Sequence, residues 1–378
     1  MKPNALLALA CFFLSFPAFT QTNNFIGLSH DEYSNDKSLR KTFSDFKVFE
    51  INSKALKKLV SVTEYLKFNL VLGDTKTFAI NLTQNDIRSA DYRFVFGTEK
   101  GNIVQPKPEN ITYLGFTDDA AQVRMTINDK FIVGYFVYKN EQYYLEPLKG
   151  LIADTPNDLF IFYRSKDILP NPNIKCGLTE VDEKTIESGK NNQKSAFREL
   201  LTQTGCLNIR LAIAFDFDLY ANRYSSDATA VMNQAIAVTN NMALDYANDF
   251  NRPIIYTIVT IYVSTSAGTS LETALGTTTN SNDLLSKFRF WAYGTNMLDG
   301  GFGIVHDLGT VWIKRAFDNS SGIIGLSYKP GICLSNPYSI LNGNFTTAIG
   351  YFGVLQAHEF GHNFGCEHDA ANSGFIMV

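Results

Sequence analysis

Short segments with alternating apolar and polar residues, or with runs of β-branched and aromatic residues, dominate the first half of the chain. Such segments predict strands, because successive side chains of a strand point to opposite faces of a sheet. The predicted strands are Phe78–Leu82, Tyr92–Phe96, Val123–Ile127, Phe131–Tyr138 and Gln142–Leu145. Residues 67 to about 165 are therefore expected to form an antiparallel β domain, after a short helical lead-in from Asp31 to Tyr65.

From Leu207 onward, strand-like runs alternate with segments of helical period. Val231, Ala235 and Val238 recur every three to four residues, as they would on one face of a helix. The predicted elements are strands at Leu207–Asp216, Pro253–Val263, Phe302–His306 and Ile323–Ser327, and helices at Asp227–Phe250, Asp283–Tyr293 and Thr346–Asn363. This alternation predicts a mixed α/β sheet, so the fold class is α+β with an antiparallel β-rich domain first and an α/β domain second.

Composition and charge fit a two-domain protein of the globular class. Hydrophobic residues make up 45% of the 378 residues, which is enough to fill sizeable cores. The net charge of -4 is spread along the chain, and the sequence has no basic cluster of the kind that binds nucleic acid. Residues 178–205 are polar and rich in charge, so they are predicted to be an exposed linker.

Residues 1–20 have the pattern of a secretory signal peptide. Lys2 supplies a basic start, the stretch from Ala5 to Phe16 is apolar, and Ala18–Thr20 precedes the expected cut. The apolar stretch is too short to cross a membrane, and no other uncharged run reaches that length. The product is therefore expected to be secreted, with no transmembrane segment in this chain.

Three of the five histidines lie between residues 358 and 368, and their spacing indicates a metal site. His358 and His362 are four residues apart, so a helix would project both imidazoles from one face. Glu359 would point toward the open side of the metal, where a water molecule binds. Gly365 allows the chain to turn and bring His368 to the same metal. Three neutral nitrogens and one water make an open catalytic zinc site.

This segment, His-Glu-Phe-Gly-His-Asn-Phe-Gly-Cys-Glu-His-Asp at 358–369, resembles the signature of the metzincin metalloproteases. Aspartate at position 369 is similar to the adamalysin (reprolysin, ADAM) branch. The resemblance implies that Asp369 braces a Met-turn from outside the ligand shell. Met377, in Ser-Gly-Phe-Ile-Met, would be the methionine of that turn. It also implies that substrate adds along the strand at Ile323–Ser327, where Gly325 and Leu326 are the expected contacts.

Four cysteines remain beyond the signal peptide, where an oxidising compartment permits pairing. The resemblance implies a disulfide between Cys206 and Cys333, with reduced buried thiols as the alternative. Asn-Ile-Lys-Cys-Gly at 173–177 resembles the cysteine switch at the end of ADAM propeptides, in which the thiolate of Cys176 would cover the zinc. The alternative is a disulfide between Cys176 and Cys366, whose partner is otherwise open.

The resemblance divides the chain into four parts: a signal peptide at 1–20, a β-rich propeptide at 21–177, a linker or processing region at 178–205 and a catalytic domain at 206–378. The family continues beyond the Met-turn, whereas this sequence ends at Val378, so the catalytic domain is expected to lack its C-terminal part. His306 lies outside the motif and is interpreted as structural.

The function predicted from these features is that of a secreted zinc endopeptidase made as a latent zymogen. His358, His362 and His368 would hold Zn²⁺, and Glu359 would act as the general base. The expected partners are protein or peptide substrates and the chain's own propeptide as an intramolecular inhibitor. Nothing in the sequence supports calcium binding, although the resemblance leaves it open. The alternatives are a non-catalytic secreted protein with structural zinc and a zinc hydrolase of small substrates.

Overall fold

The computed structural model describes residues 23–73, 76–139, 141–178, 207–248, 253–297, 299–369 and 377. The signal peptide predicted at 1–20 and nearly all of the linker predicted at 178–205 lie outside these residues. So does Cys206.

Within the described residues, the first half of the chain forms a closed barrel of nine strands. Strands are numbered in chain order, and those of the barrel are β1 (Asn23–Ser29), β2 (Lys47–Glu50), β3 (Tyr65–Leu72), β4 (Lys76–Gln84), β7 (Thr112–Thr117), β8 (Gln122–Asn128), β9 (Phe131–Tyr138), β10 (Glu141–Pro147) and β11 (Leu159–Arg164). Their spatial order is β1-β2-β11-β10-β9-β8-β7-β4-β3, closed by the parallel pair of β1 and β3. The alternation expected of half-buried strands is clear in β3, where Leu66, Phe68 and Leu70 are buried and point inward.

The second half is built on an eight-stranded sheet. Its strands are β5 (Arg88–Thr98), β6 (Gly101–Gln105), β12 (Lys175–Cys176), β13 (Leu207–Phe215), β14 (Ile254–Ser264), β15 (Leu308–Ile313), β16 (Ile323–Ser327) and β17 (Tyr338–Asn342). The spatial order is β12-β16-β17-β15-β13-β14-β5-β6. The central strands run parallel, and β16 is antiparallel to β17. Strands β13 and β14 have near-continuous burial, as expected where both faces of a sheet are covered.

Three strands that precede residue 178 belong to this second sheet. Strand β5 contains the predicted strand Tyr92–Phe96, but it pairs in parallel with β14 and not with the barrel. Strand β6 pairs only with β5 and is the outer strand on that side. Strand β12 pairs with β16 at the opposite edge. The single antiparallel β domain predicted for residues 67 to 165 is therefore wrong in its extent, because period-two alternation identifies a strand but not its partner.

Five α-helices complete the described part of the fold: α1 (Ser53–Ser61), α2 (Ala228–Asn248), α3 (Ser270–Leu275), α4 (Ser281–Tyr293) and α5 (Ile349–Asn363). Helix α1 is capped by Asn52, whose side chain accepts a hydrogen bond from the Ala55 backbone N–H. None of the helices in the described residues has the length and apolar character needed to span a membrane.

Two predicted elements differ from the structure. The lead-in from Asp31 to Tyr65 contains only one α-helix, α1, together with 3₁₀ turns and strand β2. The strand predicted at Phe302–His306 is irregular, and β15 begins two residues later at Leu308. Glycines cause the difference, since Gly303 has φ of +60° and interrupts an extended backbone.

One hydrophobic core joins the two halves of the chain. Ile87, Ile111 and Val133 from the first half are buried with Met242 of α2 and Phe360 of α5. Further contacts are polar: the Asn240 side chain donates to the Met125 carbonyl oxygen over 3.0 Å. The barrel therefore packs directly on the two long helices α2 and α5 of the second half, and α5 carries the candidate site.

Candidate metal centre and active site

Helix α5 presents two histidines on one buried face, and a third joins them from the following segment. The Nε2 atom of His362 lies 3.1 Å from Nε2 of His358 and 3.2 Å from Nε2 of His368. The Cys176 thiol completes the group, with Sγ 3.5 Å from Nε2 of His362. One ligand atom from each of these four residues lies within 4.8 Å of all the others. The convergence predicted from the spacing of the three histidines is therefore present in the structure.

A glycine turn at the end of α5 places His368. Gly365 has φ of +92°, a conformation that residues with a side chain rarely adopt. The Gly365 N–H donates to the His362 carbonyl and the Cys366 N–H donates to the Gly361 carbonyl, which are the two bonds of a Schellman motif. The motif ends the helix and reverses the chain, so that the third imidazole returns to the other two.

The imidazole of His362 is held in the neutral form and the tautomer suited to metal binding. Its Nδ1 lies 2.9 Å from the Cys366 carbonyl oxygen, and a carbonyl can only accept a hydrogen bond, so Nδ1 carries the proton. The Nε2 lone pair then faces the cluster. Burial, followed by the neighbouring His358, lowers the pKa of His362 to about 3. No proton competes for this nitrogen at neutral pH.

The donor set fits zinc. Imidazole nitrogen and thiol sulfur are the atoms that zinc prefers, and three histidines with one cysteine make a four-coordinate set. Two of the four residues, His358 and His362, are buried, while Cys176 and His368 are partly exposed. Access from solvent is therefore on the side of Cys176 and His368.

Glu359 is fully buried beside the cluster. Its Oε2 accepts a hydrogen bond from the Ser327 hydroxyl over 2.5 Å, whereas its Oε1 has no hydrogen-bond partner among the described residues. Burial raises the pKa of Glu359 to about 7, although the nearby Ser327 hydroxyl and Cys176 thiol act to lower it. Gly325 leaves room for this carboxyl, because a Cβ there would lie 2.2 Å from Oε1. The carboxyl can therefore exchange a proton near neutral pH.

Strand β16 carries Gly325 and Ser327 and is covered on its outer side by the segment around Cys176. Cys176 pairs with Gly325 in parallel register, and the Gly177 N–H donates to the Gly325 carbonyl over 2.8 Å. Leu326, the other expected substrate contact, is buried in the core. The backbone of Gly325 thus pairs with the chain's own residues 176–177.

Met377 and Asp369 lie against α5 and its following turn. A Cβ on Gly361 would lie 2.4 Å from the sulfur of Met377, so this methionine packs directly on the helix between the ligand positions. The Asp369 backbone N–H donates to the Met377 carbonyl over 2.6 Å. Asp369 therefore contacts the methionine segment through its backbone, while its side chain is exposed.

The disulfides predicted from the sequence have different outcomes. Cys333 is an exposed thiol with φ of +60° in the loop between β16 and β17. Its predicted partner Cys206 lies outside the described residues, so this pairing stays a prediction. No disulfide joins Cys176 and Cys366, so the alternative pairing is not formed. Cys176 instead lies in the histidine cluster, as the cysteine-switch interpretation requires.

Two polar residues that support the site were not predicted from the sequence. Ser327 is the partner of Glu359, and Asn363 follows the second histidine of α5. The Asn363 side chain donates to the carbonyls of Tyr328 and Tyr338 over 2.8 and 3.2 Å, which ties α5 to the ends of β16 and β17. Asn363 lies inside the histidine motif, so its position in the sequence could have indicated a role at the site. The residues around Ser327 give no such indication.

His306 is structural, as predicted. Its ring lies 2.9 Å from the Ile304 carbonyl oxygen and 3.0 Å from the Tyr338 hydroxyl, and it is buried among aromatic side chains. Burial lowers its pKa.

Comparisons with known proteins agree with this geometry. Residues 207–374 match the family model Reprolysin_5, metallo-peptidase family M12. The chain is 22% identical over 313 residues to human disintegrin and metalloproteinase domain-containing protein 9, an alignment that covers 79% of this chain. The chain spans only about a third of that relative, 35% of its length. A crystal structure of metalloproteinase-II from Bacteroides fragilis covers 85% of this chain and 87% of its own at 14% identity, with a TM-score of 0.46. Residues 207–374 are therefore similar to the reprolysin-like domain of metallopeptidase family M12.

Proposed function

We propose that the chain is a secreted zinc endopeptidase that is made in a latent form. The observation that carries the proposal is the convergence of His358, His362 and His368 next to a buried Glu359 with one free carboxyl oxygen. The match of residues 207–374 to metallopeptidase family M12 supports peptide-bond hydrolysis. The signal-peptide pattern at residues 1–20 supports secretion.

Glu359 is the proposed general base. A zinc ion held by the three histidines supplies a Lewis acid that polarises a carbonyl and lowers the pKa of water. Oε1 of Glu359 would accept a proton from the attacking water molecule. It would then pass that proton to the leaving amine. Ser327 keeps Oε2 occupied, so the carboxyl presents Oε1 to the reacting groups. The raised pKa of about 7 suits a group that must both accept and release a proton near neutrality.

The proposed substrate is an extended peptide that pairs with β16. Main-chain hydrogen bonds to a sheet edge bind an extended segment without regard to most of its side chains. Residues 175–177 of the chain already make such bonds, since the Lys175 N–H donates to the Gly322 carbonyl and the Gly177 N–H to the Gly325 carbonyl. A protein substrate would take their place, with Gly325 as the central backbone contact and Leu326 as a buried support.

Residues 21–177 are the proposed propeptide, and Cys176 is the proposed latency switch. Its thiol lies where the fourth zinc ligand would be, and the flanking backbone fills the substrate edge of β16. A thiolate is a strong zinc ligand, so this segment would exclude both water and substrate. Gly177 allows the close approach, because a Cβ there would lie 3.1 to 3.2 Å from atoms of Leu326, Gly325 and Ile323. Cleavage within the linker predicted at 178–205 would begin activation.

The substitution Glu359→Ala tests the general base. We expect the variant to retain stoichiometric zinc, because the three imidazoles are unchanged, and to lose cleavage of denatured casein by at least about a thousandfold. Both proteins carry Cys176→Ala so that the thiol does not cover the site. Glu64→Ala, at an exposed position of the barrel, controls for the loss of a carboxylate. Casein cleavage that survives in the Glu359→Ala protein would refute the assignment.

A second function, a secreted protein with a structural zinc site, is favoured by one observation. Three histidines and Cys176 together form a complete four-ligand set, which is typical of structural zinc. A chain that binds zinc but shows no chelator-sensitive cleavage, even with Cys176 replaced and the linker cut, would support this second function.

A further inference from the structure

The N-terminal end of helix α5 has no cap of its own. The residue before the helix is Ala348, which has no side-chain acceptor. The first N–H groups of a helix need acceptors from elsewhere when they are buried. Ile349 and Gly350, which begin α5, are both buried.

Glu146 of barrel strand β10 supplies the acceptor. Its Oε2 accepts from the Ile349 backbone N–H, and the carboxyl also accepts from the Gly350 N–H. Its Oε1 accepts from the Tyr163 hydroxyl of β11. Only 1% of Glu146 is exposed, so water does not compete for these bonds.

The first turn of α5 is shaped to receive this group. A Cβ on Gly350 would lie 2.6 Å from a ring carbon of Tyr144 and 2.7 Å from the Tyr163 hydroxyl, so only glycine fits there. The barrel's Tyr144 and Tyr163 are buried in one cluster with Ala348 and with Leu244 of α2. The contact between the barrel and the first turn of α5 is therefore a closely packed docking surface.

This docking surface lies well away from the histidine cluster. Ile349 precedes His358 by nine residues. At 1.5 Å per residue, this places the surface about 14 Å along the helix from the first ligand. Cys176 and Glu146 thus reach the two ends of the same helix from the same first half of the chain.

We propose that Glu146 is a second latency contact, through which the barrel stays bound to the M12 domain after the linker has been cut. The proposal rests on the latent zymogen proposed above. In this arrangement, cutting the linker breaks the covalent connection between the barrel and the second half of the chain, but the first half of the chain still covers the active site. Release of the barrel is then a separate step, and the Glu146 carboxyl limits its rate.

Other contacts also hold the barrel to the second half of the chain, and they limit how much a Glu146 substitution can speed its release. Strand β5 pairs with β14, and the Tyr135 hydroxyl donates to Oδ1 of Asp245 in α2 over 2.6 Å. These contacts remain when Glu146 is replaced. Loss of the Glu146 bonds is therefore expected to speed release of the barrel and not to complete it.

The test measures barrel dissociation by size. The full chain carries a specific protease site within residues 190–196 and the Cys176→Ser substitution, which removes the thiol from the histidine cluster. After complete cutting, the wild-type Glu146 protein is expected to elute as one complex on gel filtration. In the Glu146→Leu protein, which has no acceptor of similar size, the barrel fragment should dissociate at least about tenfold faster. Glu146→Gln keeps an acceptor oxygen and should remain close to the wild type.

Tyr163→Phe provides a second measurement if Glu146→Leu fails to fold. It removes only the hydroxyl that orients Glu146 and is expected to speed dissociation by a smaller factor. Glu64→Leu, at an exposed barrel position, should have no effect. Immediate separation of the wild-type fragments would overturn the proposal, and so would equal dissociation rates in all the variants. Because the readout is size and not proteolysis, failure of the proposed enzyme activity would not affect it.

Discussion

At the scale of single residues, the pairing of Ser327 with Glu359 gives the site an asymmetric carboxyl. One oxygen is occupied by the serine hydroxyl and the other has no hydrogen-bond partner in the described residues. Without the hydroxyl, the carboxyl could rotate about its last bond and present either oxygen. The serine therefore fixes which oxygen faces the cleft.

Replacement of Ser327 by alanine should lower kcat more than it changes KM. A hydrogen bond to a charged group contributes about 1.5–3 kcal/mol, which corresponds to roughly ten- to a hundredfold in rate. Steady-state kinetics on a fluorogenic peptide in the Cys176→Ala background would measure it, and zinc content should stay unchanged. Ser327→Thr retains the hydroxyl and is expected to recover most of the activity. An unchanged kcat in Ser327→Ala would mean that packing alone orients Glu359.

The sequence was sufficient to predict the site residues that lie in one local segment. His358, Glu359 and His362 follow from helical spacing, and His368 follows from the glycine turn at Gly365. Ser327 lies 32 residues before its partner, and its role depends on which strand becomes the neighbour of α5. No local pattern contains that information. The pairing of Cys206 with Cys333 came from resemblance, and it stays a prediction because Cys206 lies outside the described residues.

At the scale of elements, sequence periodicity identified strands and long helices well but could not predict their partners. Strands β8, β9 and β10 occur where the alternation indicated, and α2 and α4 differ from their predicted limits by only a few residues. The placement of β5 in the second sheet could not be predicted from the sequence, because its alternation of apolar and polar residues is compatible with either sheet. Short β17 was missed altogether, since five residues next to glycine and proline turns give a weak signal.

Strand β12 is short, but it occupies the edge where an extended substrate is proposed to bind. The substitution Cys176→Ala removes the thiol and leaves the two backbone bonds to β16 in place. We expect the uncut chain to gain measurable casein cleavage, at least about tenfold above the wild-type protein, because an alanine methyl cannot coordinate zinc as the thiolate would. Cys366→Ala, at a second free cysteine of the same part of the fold, serves as the control. Equal latency in the Cys176→Ala and wild-type proteins would assign inhibition to the backbone of β12 alone.

At the scale of the whole molecule, the association of the two halves should depend on pH through Glu146. Burial raises the pKa of Glu146 to about 7 in the docked protein, whereas the exposed carboxyl of a free barrel has an ordinary pKa near 4.5. The docked form therefore favours the protonated acid. Association is strongest below the ordinary pKa, weakens as pH rises through the window up to about 7, and is constant above it.

This dependence can be measured as the dissociation constant of the cut complex between pH 5 and pH 8. We expect weaker binding at pH 8, with a slope of at most about tenfold per pH unit. The groups facing Glu146 are the hydroxyls of Tyr144 and Tyr163, which titrate far above this window, and Asp245 lies beyond Tyr144. Glu146→Gln removes the titrating carboxyl, so any pH dependence that remains comes from the other titratable groups. A wild-type curve identical to that of Glu146→Gln would exclude Glu146 as the origin.

The parallel pairing of β5 with β14 has a consequence for the mature protein. When the barrel leaves, it takes β5 and β6 with it, and the part of β14 from Ile258 to Ser264 loses its neighbour. Strand β14 is apolar and β-branched, and an unprotected row of amides along such a strand recruits other chains. On the proposed route of activation, the domain at residues 207–374 would therefore expose this strand edge when its cleft opens. Self-association, or a partner that adds a strand along β14, is expected there.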